Sequence, residues 1–283
     1  MSDPRTNPAA SVIVSTYDAP YSLCLVLAAL RRQTVLPAEV LVADDGSPDT
    51  TREALATVAA EMPFRLVHVR QPHAEFRLAR SRNNAIHRAA GRFITFLDQD
   101  TLPHRTWLES YLTNLRPGTV CTGYVLRLPE EASERLDRQT VKSGDFENWH
   151  TTAELRHLDS LQGKYLFYAL CRRLGFAIKG RPAIAFGNAA VCREDLVAVN
   201  GFDEEYIGWG QEDDDLGWRL YFEGVQPVPM VNQALVSHIH HPPRHGNWQN
   251  GRNIKRYRSP RTSARCAAGL ASHPHPDVTA TVL

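Results

Sequence analysis

Gly91-Arg-Phe-Ile-Thr-Phe-Leu-Asp-Gln-Asp100 joins a short apolar run to two acids. Arg92 to Leu97 has the length and the β-branched and aromatic content of a buried strand. Such a strand leaves Asp98 and Asp100 at its carboxyl end, where period-two alternation sends both side chains to one side. Outward toward the N-terminus lies a helical stretch, Ala79 to Ala90. Before it, Phe64 to Val69, Glu39 to Ala43 and Ser11 to Ser15 read as strands separated by helical Thr50 to Glu61 and Tyr21 to Arg32. Strands and helices alternating at this length make an α/β fold, Rossmann-like, with a mostly parallel central sheet flanked by helices. Ligands of such sheets sit outside the carboxyl ends of the strands, near the point where strand order reverses. The segments that arrive there are Thr16-Tyr17-Asp18, Asp44-Asp45-Gly46-Ser47 and Asp98-Gln99-Asp100, so polar and acidic residues gather at one edge.

Toward the C-terminus, Pro129 to Lys164 is charged and irregular and reads as an insertion, a lid or an acceptor contact, with a helix over Leu161 to Leu174. Then follow a strand over Ala183 to Gly187, a helix over Arg193 to Val199 and a turn at Asn200-Gly-Phe-Asp203. A last helix runs from Gln211 to Phe222, before a strand over Val228 to Val236. The tail beyond Pro260, rich in Ala, Ser, His and Pro, is expected to be disordered, as are residues 1–10.

The chain of 283 residues is 43% hydrophobic, enough for one large α/β domain or two small ones. Its 32 basic and 31 acidic side chains nearly cancel, so no polyanion partner, nucleic acid included, is expected. The five cysteines are scattered and never form CxxC, which argues against a disulfide framework or a cysteine zinc site and for a reducing compartment. The first ten residues lack the order of a signal peptide. The longest apolar run, Leu23 to Leu30, is far short of the roughly 20 residues that span a bilayer. The expectation is a cytoplasmic protein with no integral membrane segment.

Four groups of residues carry chemistry. Asp98 and Asp100 repel as they leave a buried strand unless a cation joins them, and such oxygen ligands suit Mg²⁺ or Mn²⁺ with phosphate oxygens completing the shell. In Trp209-Gly-Gln-Glu212-Asp213-Asp214-Asp215 the acids open a helix, where each stabilises the dipole by about 0.3–1 kcal/mol. A run of four exceeds what capping requires. It fits a general base that removes a proton from a hydroxyl, with neighbouring carboxylates on other hydroxyls and Trp209 stacked on a sugar face. His238, in a cluster with His240, His241 and His245, reads as a distal ligand of the two-Asp centre. A zinc site is the other reading, although no HExxH spacing is present. Asp44 and Asp45 suit a βα turn, and Arg77, Arg80 and Arg82 suit either a solvated helix face or a phosphate site.

Together these stretches resemble family-two glycosyltransferases with the GT-A fold, over Ser11 to His241. The pieces are Val-Ile-Val-Ser-Thr-Tyr-Asp18, Val-Ala-Asp-Asp-Gly-Ser47, Arg82-Asn-Asn-Ala-Ile86, Gly91 to Asp100, Gly187-Asn188 and Asn200-Gly-Phe-Asp-Glu-Glu. Gly208-Trp-Gly-Gln-Glu-Asp-Asp-Asp215 followed by Val236-Ser-His238 resembles the C-terminal module of β-1,4-galactosyltransferases and of bacterial chondroitin-type polymerases. The resemblance implies an inverting, metal-dependent transfer from a nucleoside-diphosphate sugar, with uridine diphosphate favoured, to a hydroxyl of a carbohydrate or other small acceptor. It implies that Ser15, Tyr17 and Asp45 hold base and ribose, with Arg82 and Asp98 beside the nucleotide. It further implies that Asp98, Asp100 and His238 hold Mn²⁺ or Mg²⁺ on the diphosphate. Asp213 would be the base, Glu212 and Asp214 would position the acceptor, and Asn188 and Trp209 would contact substrate. On this reading residues 11–115 bind the nucleotide sugar, 116–258 carry acceptor binding and catalysis, and 259–283 form a tail.

Asp18 stands where members of the family commonly carry Asn. The QxxRW of processive synthases is replaced by Gln249-Asn-Gly-Arg252-Asn253, so single addition is expected. The alternatives are a metal-dependent nucleotide-sugar hydrolase and an inactive nucleotide-sugar-binding module. A nucleotidyltransferase would need a Gly-rich basic loop after the first strand, and Ser-Thr-Tyr-Asp-Ala-Pro is not one.

Overall fold

β1 (Thr6–Thr16) and β2 (Leu36–Asp44) run side by side and in parallel in the computed structural model of the chain, which describes residues 6–174, 176, 184–242, 251–259 and 263–283. Helices α1 (Pro20–Leu30), α2 (Asp49–Ala59) and α3 (Leu78–Arg88) alternate with these strands and with β3 (Arg65–Arg70) and β4 (Phe93–Asp98). β5 (Thr101–Pro103), α4 (Trp107–Asn114), β6 (Thr119–Thr122), β7 (Tyr124–Arg127), α5 (Glu130–Glu134), α6 (Arg138–Ser143) and the long α7 (Thr152–Arg173) follow. The remainder comprises β8 (Asn188–Cys192), α8 (Arg193–Ala198), α9 (Glu212–Phe222), β9 (Gln226–Pro229), β10 (Leu235–His238), α10 (Gly251–Arg258) and β11 (Thr279–Val282).

The main sheet has the order β11-β3-β2-β1-β4-β8-β6-β9, with β3, β2, β1 and β4 parallel. Alternation within β1 explains its two covered faces. Val12 and Val14 enter one apolar layer with α1, α2 and α4, whereas Ile13 enters the other with α3, Phe96, Phe186, Phe202 and Leu216. A strand buried on both sides must be apolar throughout, which is why the sequence shows a run rather than an alternation. Strand order reverses at β1, so the crevice between the ends of β1 and β4 is the expected ligand position. A second sheet, β5-β10-β7, adjoins that end.

Five expectations change. The strand expected at Ala183 to Gly187 begins instead at Asn188; Ala183 lies outside the described residues, and Ile184 to Gly187 form a turn against Asp98. The strand expected over Val228 to Val236 is two strands in different sheets. Pro227 and Pro229 lack the N–H a central strand needs and confine β9 to the sheet edge, and a turn over residues 231–233 redirects the chain into β10. The 129–164 stretch is helical, and α7 starts at Thr152 behind a capping box of Thr151 and Glu154. Residues 263–283, expected to lack structure, include β11, which pairs antiparallel with β3. Residues 6–10, expected to lie outside the fold, begin β1.

All five cysteines are free thiols. No helix among the described residues is long and apolar enough to cross a membrane.

Candidate active site

Arg82 sits on the buried side of α3, 1% exposed, and its guanidinium reaches three acceptors. Nε donates to Ser15 Oγ at 3.0 Å, Nη2 to Asp98 Oδ1 at 3.0 Å and Nη1 to Asp213 Oδ1 at 2.7 Å. Its plane lies over the Phe202 ring, 5.2 Å from the centroid. One cation thus joins the ends of β1 and β4 to the first turn of α9. The planar five-donor fork is what allows this, since an ammonium would offer a single point.

Asp213 is held on both oxygens, because the Phe186 backbone N–H donates to Oδ2 at 2.9 Å. Its side chain remains 27% exposed, so lone pairs still face the crevice. Burial raises its pKa, against the opposing pull of Arg82. Next to it, burial and the charge of Asp213 push Glu212 up to about 7, and Glu212 Oε2 has no hydrogen-bond partner among the described residues. The turn before α9 carries left-handed backbone at Gly208, Gly210 and Gln211, and Asn253 of α10 donates to the Gly210 carbonyl at 3.0 Å. Asp214 and Trp209 are both exposed, Trp209 at 57%. Asp215 points inward, where it accepts from Arg219 at 2.7 Å as a core ion pair.

Asp98 and Asp100 part company. β4 ends at Asp98, and Thr101 closes a turn: its hydroxyl accepts from the Asp98 N–H and donates to the Asp98 carbonyl. Strand alternation therefore stops two residues before Asp100. Asp98 turns to Arg82, while Asp100 lies beside His238 at 3.6 Å and His241 at 3.4 Å. Antiparallel pairing of β5 with β10, which sets Thr101 opposite His238, brings the acid and the imidazoles together. One ligand atom from each of Asp100, His238 and His241 can lie within 4.8 Å of the others. Burial lowers His238 to about 4, so its imidazole is neutral at physiological pH and has a lone pair to give. This donor set fits a divalent cation. His241, part of the histidine cluster in the sequence, belongs to it; Asp98 does not share it, and His245 lies outside the described residues.

Around the end of β2, Asp45 is buried and accepts from Gln71 at 2.5 Å and from the Arg77 N–H at 2.7 Å. Asp44 instead caps its own turn through Ser47 and accepts from or pairs with His68 at 2.7 Å. Tyr17 stacks on His73 with centroids 4.4 Å apart, and its N–H donates to Gln99 Oε1. Gln99, between the two acids, is a site residue that the sequence reading passed over; it also accepts from Thr16. Asp18 has φ +44°, a conformation that Asn and Asp tolerate better than other side chains, which accounts for Asp in that position.

Asn188 is turned into the fold. Its amide donates to the Tyr124 and Ala234 carbonyls and accepts from Trp107 and Tyr111, which uses its whole capacity. Its side-chain amide thus joins β8 to α4, to β7 and to the residue before β10. Its neighbour Gly187 does bear on the site, because a Cβ there would lie 2.5 Å from Asp98 Oδ2.

Residues 11–176 match the glycosyl transferase family 2 model. The chain belongs to glycosyl transferase family 2. Residues 167–243 of this family 2 chain match a second model, described as the N-terminal domain of galactosyltransferase. It is 30% identical over 234 residues to validoxylamine A glucosyltransferase of Streptomyces hygroscopicus subsp. limoneus, covering 77% of the chain and 49% of the relative. With the chondroitin synthase of Escherichia coli the identity is 27% over 255 residues, 86% of the chain and 37% of the relative. The chain thus spans about half or less of the length of these relatives. A mannosyltransferase from Pyrobaculum calidifontis, in complex with GDP-Man and Mn²⁺, superposes with a TM-score of 0.56 at 20% identity over 87% of this chain and 60% of that one. TarS of S. aureus, in complex with UDP-GlcNAc, gives 0.54 at 18% identity, over 83% and 60%. At these identities the likeness concerns the fold, which is GT-A.

Proposed function

We propose that this chain transfers a glycosyl group from a nucleoside-diphosphate sugar, with a UDP-sugar favoured, to a hydroxyl of a carbohydrate or other small acceptor, with inversion and by single addition. The observation that carries the reading is Arg82, whose three hydrogen bonds tie the donor-side strand ends to Asp213. Ser15, Tyr17 and Asp45 line the nucleotide side. Asp100, His238 and His241 are the cation ligands, and two imidazoles with one carboxylate favour Mn²⁺ over the oxygen-seeking Mg²⁺. The chemistry such a cation supplies there is neutralisation of charge on the departing diphosphate.

Asp213 takes the proton of the acceptor hydroxyl. The freed oxygen forms its bond to the anomeric carbon as the bond from that carbon to the diphosphate oxygen breaks, and the electron pair leaves with the diphosphate. A single displacement with one base inverts the centre. Arg82 fixes the Asp213 carboxylate and, still paired with Asp98, keeps the crevice charge balanced once Asp213 is protonated. Glu212, with a pKa near neutrality, can donate or accept a hydrogen bond to an acceptor hydroxyl. Asp214 and the exposed Trp209 offer a further polar contact and a stacking face.

The test is a thermal-shift screen of UDP, GDP and dTDP sugars with Mn²⁺, Mg²⁺ or EDTA, followed by nucleotide release with added acceptors. Asp213→Asn should retain the donor-dependent shift and lose turnover by about 10²–10⁴-fold. Unchanged turnover rejects Asp213 as the base, and no shift with any donor rejects the donor site.

A further inference from the structure

A second cluster lies outside the crevice. Glu204, in the turn after α8, receives two histidines from the tail: His273 Nε2 lies 2.6 Å from Oε1 and His275 Nε2 lies 3.1 Å from Oε2. One ligand atom from each residue can lie within 4.8 Å of the others, and the two rings meet edge to face with centroids 4.3 Å apart. The set shares no residue with Asp100, His238 and His241.

The cluster is largely enclosed. The His273 side chain is 0% exposed, and its Nδ1 has no hydrogen-bond partner among the described residues. Two imidazole nitrogens aimed at the two oxygens of one carboxylate bring three side chains of metal-ligating type to one point.

The cluster lies where the tail meets the turn after α8, a junction also bridged by the Glu204 N–H to the Ala268 carbonyl and by the Leu270 N–H to the Asn200 carbonyl. The four side chains of β11 are all exposed, so that strand is attached to β3 mainly through its backbone. Close by, Asp277 pairs with Arg80 at 2.6 Å, a contact whose Asp277 carboxylate is 43% exposed and therefore worth little.

We propose that Glu204, His273 and His275 form a transition-metal site, selective for Zn²⁺-class ions, that fastens the C-terminal tail to the turn after α8. A two-His, one-carboxylate set with a fourth position for water is a zinc ligand pattern, and imidazole donors disfavour Mg²⁺ and Ca²⁺. Zinc ligation at about 2.0–2.2 Å places ligand atoms roughly 3.4 Å apart. The observed separations therefore need only a small opening. Asn83 donates to Glu204 at 2.8 Å and to the Phe202 carbonyl at 2.8 Å, so the site adjoins the helix that carries Arg82.

The experiment uses the full chain carrying Asp100→Asn and His241→Ala, which disables the other cluster. After EDTA treatment, Zn²⁺ is added, free ion is removed and bound metal is measured by mass spectrometry. The expected result is stoichiometric zinc and a rise in melting temperature of about 5 °C at a hundredfold excess over Kd, with a smaller shift from Mn²⁺ at the same concentration. His275→Gln, which retains an N–H donor for Glu204, should lose the zinc and its shift while melting like its parent without metal. Zinc retained by His275→Gln, or no zinc in the parent, overturns the proposal. Neither outcome bears on donor binding at the crevice, which the wild-type chain reports separately.

Discussion

Replacing Arg82 with Met removes the one cation among Ser15, Asp98 and Asp213 while keeping an unbranched stem over Phe202. Removing one partner of a buried pair costs about 3–5 kcal/mol, because the other charge is left uncompensated. Asp213 is 27% exposed and Asp98 is 41% exposed, so solvent screens both, Asp98 more strongly. The expected loss is therefore at the lower end, about 3 kcal/mol. At about 2–4 °C per kcal/mol for a chain of this size, the variant should melt roughly 6–12 °C below the wild type. Arg82→Lys keeps the charge but cannot fork to three acceptors, and it should fall in between. The assay is thermal melting near pH 7, with urea titration as a check on the midpoint. A second consequence concerns protonation. Burial raises Asp213 and Arg82 opposes that rise, so without Arg82 the carboxyl protonates at higher pH and the acid limb of the activity profile should move upward. An Arg82→Met chain that melts within about 2 °C of wild type would refute the claim that this guanidinium compensates the two acids.

Two further outcomes test the neighbouring groups. The Glu212 carboxyl has a folded pKa of about 7 against an ordinary 4.5, so the unfolded chain gives up this proton first and stability falls as pH rises through that window. Glu212→Gln should therefore melt above wild type at pH 8 and show no such advantage at pH 4; equal curves at both would refute the shift. His241→Ala should weaken Mn²⁺ binding by about tenfold or more, measured by calorimetry or electron paramagnetic resonance, and an unchanged affinity would remove His241 from the ligand set.

The first four strands were legible because burial on both faces demands unbroken apolar runs such as Val12-Ile-Val14 and Phe93-Ile-Thr-Phe-Leu97, and the turns after them carry the polar residues that reach the crevice. The acid-rich start of α9 was legible for a similar reason, as the charge run exceeds any capping need. Other features depend on partners remote in sequence. Nothing near Asn188 announces Trp107 and Tyr111, which both donate to its amide oxygen. The divergence of Asp98 from Asp100 follows from one threonine hydroxyl that closes a turn where a continuing strand was assumed. β11 escaped notice because exposed Thr-Ala-Thr-Val has no buried face to impose a pattern, and only its backbone identifies it as a strand.

The pairing of Thr279–Val282 with Val67–Arg70 also orders events in time. These partners are separated by most of the chain, and at about 5–20 residues per second a ribosome takes roughly 10–40 s to pass from one to the other. Throughout that interval the outer rim of β3 presents a row of unclaimed N–H and C=O groups to its surroundings, including neighbouring nascent chains on the same message. A fold in which a later-made strand seals a border formed early is exposed to mispairing during its own synthesis, and any change that delays the seal lengthens that exposure.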